Sequence, residues 1–112
     1  MSALEETLEL LEWPRLCQHL SSFASTRQGR RHCRLGSLPD TLPESITLQA
    51  RTLEMASLDG LLDGGLSFRG VGDLEMTLLR CSKGGVASGE ELLTVADTLG
   101  AARRLRRQID DP

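Results

Sequence analysis

A chain of 112 residues, 39% of them apolar, suffices for one domain with one core. Its net charge of −3 argues against a free-standing, strongly basic nucleic-acid binder. No apolar run approaches the roughly 18 residues that span a bilayer.

Two Ile, three Val, two Phe and no Tyr are too few of the residues that sheets favour, while leucine is plentiful. The composition predicts an all-α fold: one compact helical domain over residues 1–112, of five to six helices, ending in a long C-terminal helix. The acidic, amphipathic N-terminus is not a secretory signal. Cys17, Cys33 and Cys81, odd in number and without paired spacing, read as reduced thiols of a cytoplasmic protein.

In chain order, Ser2 and Glu5 have capping-box spacing, and Leu4, Leu8 and Leu11 make an apolar stripe. Glu5, Glu9 and Glu12 form an acidic stripe, the solvated side of that helix. Pro14 ends or kinks it and suits the first turn of the next, which carries Leu16, Cys17, Leu20, Phe23 and Ala24. Trp13 is expected to pack at the joint, ahead of any role as a stacking platform.

Arg27, Arg30, Arg31 and Arg34 fall at i, i+3, i+4 and i+7, which on a helix places four guanidinium groups on one face. Residues 27–34 carry +4 on an otherwise acidic background. Such a stripe can hold phosphates of a nucleic-acid backbone without reading sequence. No aromatic residues interleave with the arginines, so a solvated face paired with acidic side chains is the plainer reading. Gly29 weakens the helix by about 1 kcal/mol.

Leu35 to Pro39 is a break, after which Thr41 and Glu44 repeat the capping-box spacing. The following helix is apolar on two sides, Ile46, Ala50, Leu53 and Ala56–Ser57 on one and Leu48, Met55, Leu58 and Leu62 on the other. It is expected to be the central and most buried helix. Asp59 to Gly72, with five glycines, reads as a loop in which Leu66 and Phe68 turn back onto the core. Asp73 is placed to cap a short helix, Gly84 and Gly85 to end it in αL geometry, and Ser88 with Glu91 to cap the last helix. That helix carries Leu92, Val95, Ala96, Leu99, Ala102, Leu105 and Ile109 as its apolar stripe.

No residue is a strong catalytic candidate. Gly70-Val71-Gly72 lacks the third glycine and the preceding strand of a dinucleotide site, and Lys83-Gly84-Gly85 runs in the wrong order for a phosphate loop. Cys17, His19, His32 and Cys33 could supply metal ligands but lack zinc-site spacing. A helical enzyme using a Cys–His pair is left open, with nothing local to mark one.

The ordered set Leu10-Leu11-Glu12-Trp13, Phe23-Ala24-Ser25, Gly70-Val71-Gly72-Asp73-Leu74, Lys83-Gly84-Gly85-Val86, Ser88, Glu91-Leu92-Leu93 and Leu99–Leu105 resembles the N-terminal region of the bacterial MutS-II subfamily. Leu-Glu-Trp-Pro-Arg-Leu is similar to its cyanobacterial members. Ala87 departs from the pattern. It leaves a small residue at N′ opposite Leu92, where a hydrophobic staple would sit.

The resemblance implies a fragment of a longer protein with an ATPase that uses ATP and Mg, a coiled-coil clamp and a C-terminal Smr nuclease domain. It also implies DNA or ribosome partners, with roles in suppressing recombination at branched DNA and in rescuing collided ribosomes. None of the family's Walker or nuclease residues has a counterpart here, so neither catalytic nor cofactor residues carry over. The segment it implies is a non-catalytic scaffold, with direct phosphate contact by Arg27, Arg30, Arg31 and Arg34 as the alternative. Broad apolar faces on the second, central and last helices further suggest a homodimer.

Overall fold

Side-chain caps set four of the six helix starts. In the computed structural model, which describes residues 1–112, six α-helices and no strand form: α1 (Ala3–Leu10), α2 (Trp13–Ser21), α3 (Arg27–Arg34), α4 (Leu42–Leu61), α5 (Glu75–Ser82) and α6 (Gly89–Asp110). The boxes at Ser2/Glu5 and Ser88/Glu91 are complete, each serine hydroxyl accepting from the N3 amide and each N3 carboxylate accepting from the cap amide. At Thr41 only half of the box forms. The hydroxyl accepts from Glu44 N–H at 3.3 Å, but the Glu44 carboxylate accepts from Asp40 N–H instead, one residue early.

The chain clusters into two compact units, Met1–Ser37 and Leu38–Pro112. In the first, Glu12 takes a left-handed φ of 50° between α1 and α2, with Pro14 in the first turn of α2. This is the break expected from Pro14. Trp13 sits half-buried at that joint, and its indole N–H donates to the Gly36 carbonyl at 2.9 Å. The helices α2 and α3 pack side by side, with Cys17 and Ser21 of α2 buried. Such small side chains let two backbones approach closely.

In the second unit, the glycine-rich segment after α4 lies along α6. Asp59 folds its carboxylate over the end of α4 and accepts from Leu66 N–H at 2.8 Å. Ser67 N–H donates to Gln108 Oε1 at 3.3 Å, Arg104 donates to the Arg69 carbonyl at 3.0 Å, and Gly72 N–H donates to Thr98 Oγ1 at 3.0 Å. A Cβ at Gly72 would stand 2.5 Å from Thr94 Cγ2, so only glycine allows this approach. Ala101, beneath the segment, is 1% exposed. Leu66 turns in and is half-buried as expected, whereas Phe68 is covered less well and keeps 39% of its surface exposed.

Two expectations from apolar spacing fail here. The packed side of α6 is the row Thr94, Thr98, Ala101, Leu105 and Gln108, while Leu92 and Leu99 are 58% and 60% exposed. The neighbour is glycine backbone, which is matched by hydroxyls and small side chains rather than by leucines. Nor is α4 the buried centre, since none of its residues is buried. Apolar spacing states that a face needs a cover and cannot supply one.

At the other end of the unit, α5 ends in a Schellman motif. Gly84, at φ 84°, donates to the Cys81 carbonyl, and Gly85 donates to the Arg80 carbonyl. The turn returns the chain to Ser88. There the Glu91 carboxylate accepts from the Thr77 hydroxyl at 2.7 Å, from the Arg80 guanidinium and from Ser88 N–H at 3.3 Å. Asp73 Oδ1 accepts from Glu75 N–H at 3.2 Å across two residues, but the cap position of α5 falls to Leu74, which makes no side-chain cap bond, so Asp73 stands one residue ahead of the place expected of it.

Those donors, Thr77 first, then Arg80 and Ser88, hold the Glu91 carboxyl down to about 2 from its ordinary 4.5. Below pH 4.5 the unfolded chain binds a proton at this position that the folded chain refuses. The contribution of Glu91 is therefore complete above that pH and is lost as pH falls toward 2. Urea midpoints measured between about pH 6 and pH 2 should fall across this window, and Glu91→Gln should flatten the fall. An equally steep profile in the variant would contradict the assignment. Gly72→Ala should cost about 1–3 kcal/mol through the clash with Thr94. As its control, Gly89→Ala, with nothing within 4 Å of the added Cβ, should leave unfolding unchanged or raise stability by up to about 1 kcal/mol.

Candidate functional site

The arginine stripe lies on a single uninterrupted helix. Thr26 caps α3, its hydroxyl accepting from Gly29 N–H at 3.0 Å, so the glycine that weakens the helix interior sits in the first turn, under the cap. A Cβ at position 29 would lie 3.0 Å from that hydroxyl oxygen and 3.4 Å from Ala24 Cβ. The small residue is thus matched to a close turn, and the helix runs on through Arg34.

The four cations are not equivalent. Arg27, Arg30 and Arg34 are exposed, and Arg31 is half-buried. Arg30 Nε donates to the Ala24 carbonyl at 3.3 Å, which holds its side chain back along the helix. Arg31 and Arg34 occupy the last turn with His32, where the negative end of the helix dipole favours cations.

The acidic stripe expected on the first helix is cut short, because α1 ends at Leu10 and Glu12 belongs to the start of α2. Glu5 accepts from Ser2 N–H at 2.6 Å, which lowers its carboxyl below the usual range, and Glu12 pairs with Arg15 at 3.4 Å. The latter pair is exposed on both sides, the kind that contributes little to stability.

The remaining chemistry-bearing residues are dispersed. Cys17 is buried, its Sγ 3.9 Å from the Gly36 carbonyl oxygen, as a small side chain between α2 and the end of α3. His19 meets the edge of Phe23 with ring centroids 5.2 Å apart. Cys33 is half-buried, while His32 and Cys81 are exposed. No three His, Cys, Asp or Glu side chains come together as a metal-ligand set. Both glycine motifs are occupied by backbone work. Gly70–Gly72 is hydrogen-bonded and packed against α6, and the amides of Gly84 and Gly85 close the Schellman turn. The amides of Gly72, Gly84 and Gly85 are thus engaged within the fold.

Sequence periodicity located the arginine stripe and missed the contact between the glycine segment and α6. The signal for that contact is the pairing of closely spaced glycines, Gly70 and Gly72, with a run of Thr94, Thr98 and Ala101 at helical steps.

The chain is all-helical, and its relatives give its kinship. The chain is 42% identical over 111 residues, 99% of its length, to "Endonuclease MutS2" of Synechocystis sp.. It is 31% identical over 109 residues to the protein of that name from Symbiobacterium thermophilum, and 29% identical over 108 residues to that from Bacillus mycoides. The aligned part is 14%, 13% and 14% of those proteins respectively, so the chain spans about one-seventh of their length. No protein-family model and no solved structure matches it. The chain is homologous to the N-terminal region of the MutS2 endonucleases. None of its helices is long and apolar enough to cross a membrane.

Proposed function

We propose that this chain is a non-catalytic helical scaffold of a cytoplasmic MutS2-type endonuclease, supporting the parts that bind ATP, Mg and nucleic acid. Its partners on this reading are the rest of such a protein and, through it, DNA or the ribosome. The corresponding roles are suppression of recombination at branched DNA and rescue of collided ribosomes. The observation that carries the proposal is the match along 99% of the chain to 14% of a protein named an endonuclease. The dispersal of cysteines and histidines, and the structural engagement of both glycine motifs, support assigning no chemistry to this segment.

A second reading rests on one specific observation. Arg27, Arg30 and Arg34 are exposed on one helix, with Arg31 half-buried beside them. Three or four guanidinium groups in two turns of helix can neutralise as many phosphates, and each neutralised phosphate adds about −0.9 to the slope of log affinity against log salt.

Fluorescence anisotropy with a labelled four-way DNA junction separates the two readings. The scaffold reading expects no saturable binding by the 112-residue chain and no ATP hydrolysis. Backbone binding by α3 would instead give a salt slope of about −3, removed in the Arg27→Ala, Arg30→Ala, Arg34→Ala variant. Saturable ATP binding at micromolar concentration would overturn the assignment of no chemistry.

A further inference from the structure

The first two helices enclose a groove whose side chains offer carbon and acceptors but no free donor. It has a volume of about 400 Å³ and is lined by Glu5, Leu8 and Glu9 of α1 and by Trp13 and Pro14 of α2. Pro14 has no N–H, and the indole N–H of Trp13 is spent on the Gly36 carbonyl at 2.9 Å. Leu8 and the ring carbons of Trp13, both half-buried, leave an apolar floor.

Two carboxylates edge that floor. Glu5 and Glu9 stand one turn apart on the same side of α1, with about 6 Å between their Cβ atoms. The Ser2 cap holds the Glu5 carboxyl below its usual range, so it stays charged. Residues 1–14 contain four glutamates and no lysine, arginine or histidine, and the first cation, Arg15, pairs with Glu12.

This combination selects its occupant. A phosphate or carboxylate would meet like charge and no side-chain donor. A purely apolar chain would strip water from two carboxylates and pair neither. An arginine side chain suits both halves. Its stem covers Leu8 and the Trp13 ring, while its guanidinium donates to a carboxylate. An open groove covers one side of a free cation, whereas a peptide also reaches Leu4, which is 54% exposed one turn before Leu8.

The arginines of this chain lack the apolar half. The α3 stripe has no Leu, Ile, Val or Met within it, and Arg30 is drawn back to the Ala24 carbonyl. On α6, Leu105 lies between Arg104 and Arg106 but is turned into the packed side of that helix. We propose that the α1–α2 groove docks an arginine-bearing amphipathic segment of another polypeptide, with its guanidinium groups on Glu5 and Glu9 and an apolar neighbour against Leu8 and Trp13.

Trp13 is the single tryptophan of a chain without tyrosine, so its emission reports the groove in the whole protein. The probe is an alanine-based helical peptide of about 16 residues, with arginine at its fifth and ninth positions and leucine at its eighth and twelfth. The expected result is a saturable shift of Trp13 emission with Kd below about 1 mM. Glu9→Gln should raise that Kd about fivefold or more, as should citrulline, isosteric and uncharged, in place of arginine. Glu6→Gln makes the same charge change on α1 outside the groove and should leave Kd within about twofold.

No saturable shift up to about 1 mM would overturn the proposal, as would equal losses in Glu9→Gln and Glu6→Gln. Spermidine producing the same shift at the same concentrations would overturn it in favour of a free small cation. A mass above 12.2 kDa in light scattering that Glu9→Gln returns to 12.2 kDa would show the groove filled by a second copy, and would also overturn it. None of these outcomes bears on the scaffold reading, which the nucleic-acid and ATP measurements decide.

Discussion

Unpaired backbone amides and carbonyls need partners, and the organisation of residues 59–110 follows from where one glycine-rich segment finds them. That segment cannot form a helix of its own, and it makes no ladder with a strand. It satisfies Leu66 through Asp59, Ser67 through Gln108, the Arg69 carbonyl through Arg104 and Gly72 through Thr98. Three of these four partners project from α6. The segment thus runs antiparallel to α6, from Gln108 back to Thr94, and hands the chain to α5 beside the α6 N-terminus. There the Glu91 carboxylate joins the two helices through Thr77 and Arg80. The backbone of the segment carries the contact, which is why glycine and hydroxyl side chains, rather than leucines, mark it.

Local rules of cap and turn were legible in the sequence because they involve residues three or four apart. Ser2 with Glu5, Ser88 with Glu91, and the left-handed Gly84 all stand as their spacing indicates. Apolar periodicity was a poorer guide. It marked Leu92 and Leu99 on α6 and two faces of α4, yet these are the surfaces left exposed. Periodicity records which faces require cover, and a helix in a segment of a larger protein can be covered by something outside the segment or by another copy. The arginine stripe was legible as four cations on one helix. Its inequality, with Arg31 half-buried and Arg30 drawn to the Ala24 carbonyl, depends on which side of α3 meets α2. Helical spacing alone does not encode that side.

The distribution of burial fits what the relatives indicate. Only Cys17, Ser21 and Ala101 are buried in the whole chain. A core of that size cannot account for 24 large apolar residues that remain exposed, and surfaces of this kind mark contacts with other protein. Homology to one-seventh of an endonuclease, rather than to a whole enzyme, has the same character.

Amide hydrogen exchange at Gly72 tests the organising contact most directly. Its N–H lies outside any helix and donates to Thr98 Oγ1 at 3.0 Å, so its protection reports that contact. The account predicts protection comparable with that of the α6 amides around Ala101, lost selectively in Thr98→Val while α6 stays protected. Exchange of Gly72 at the rate of an open loop in the unaltered chain would contradict it.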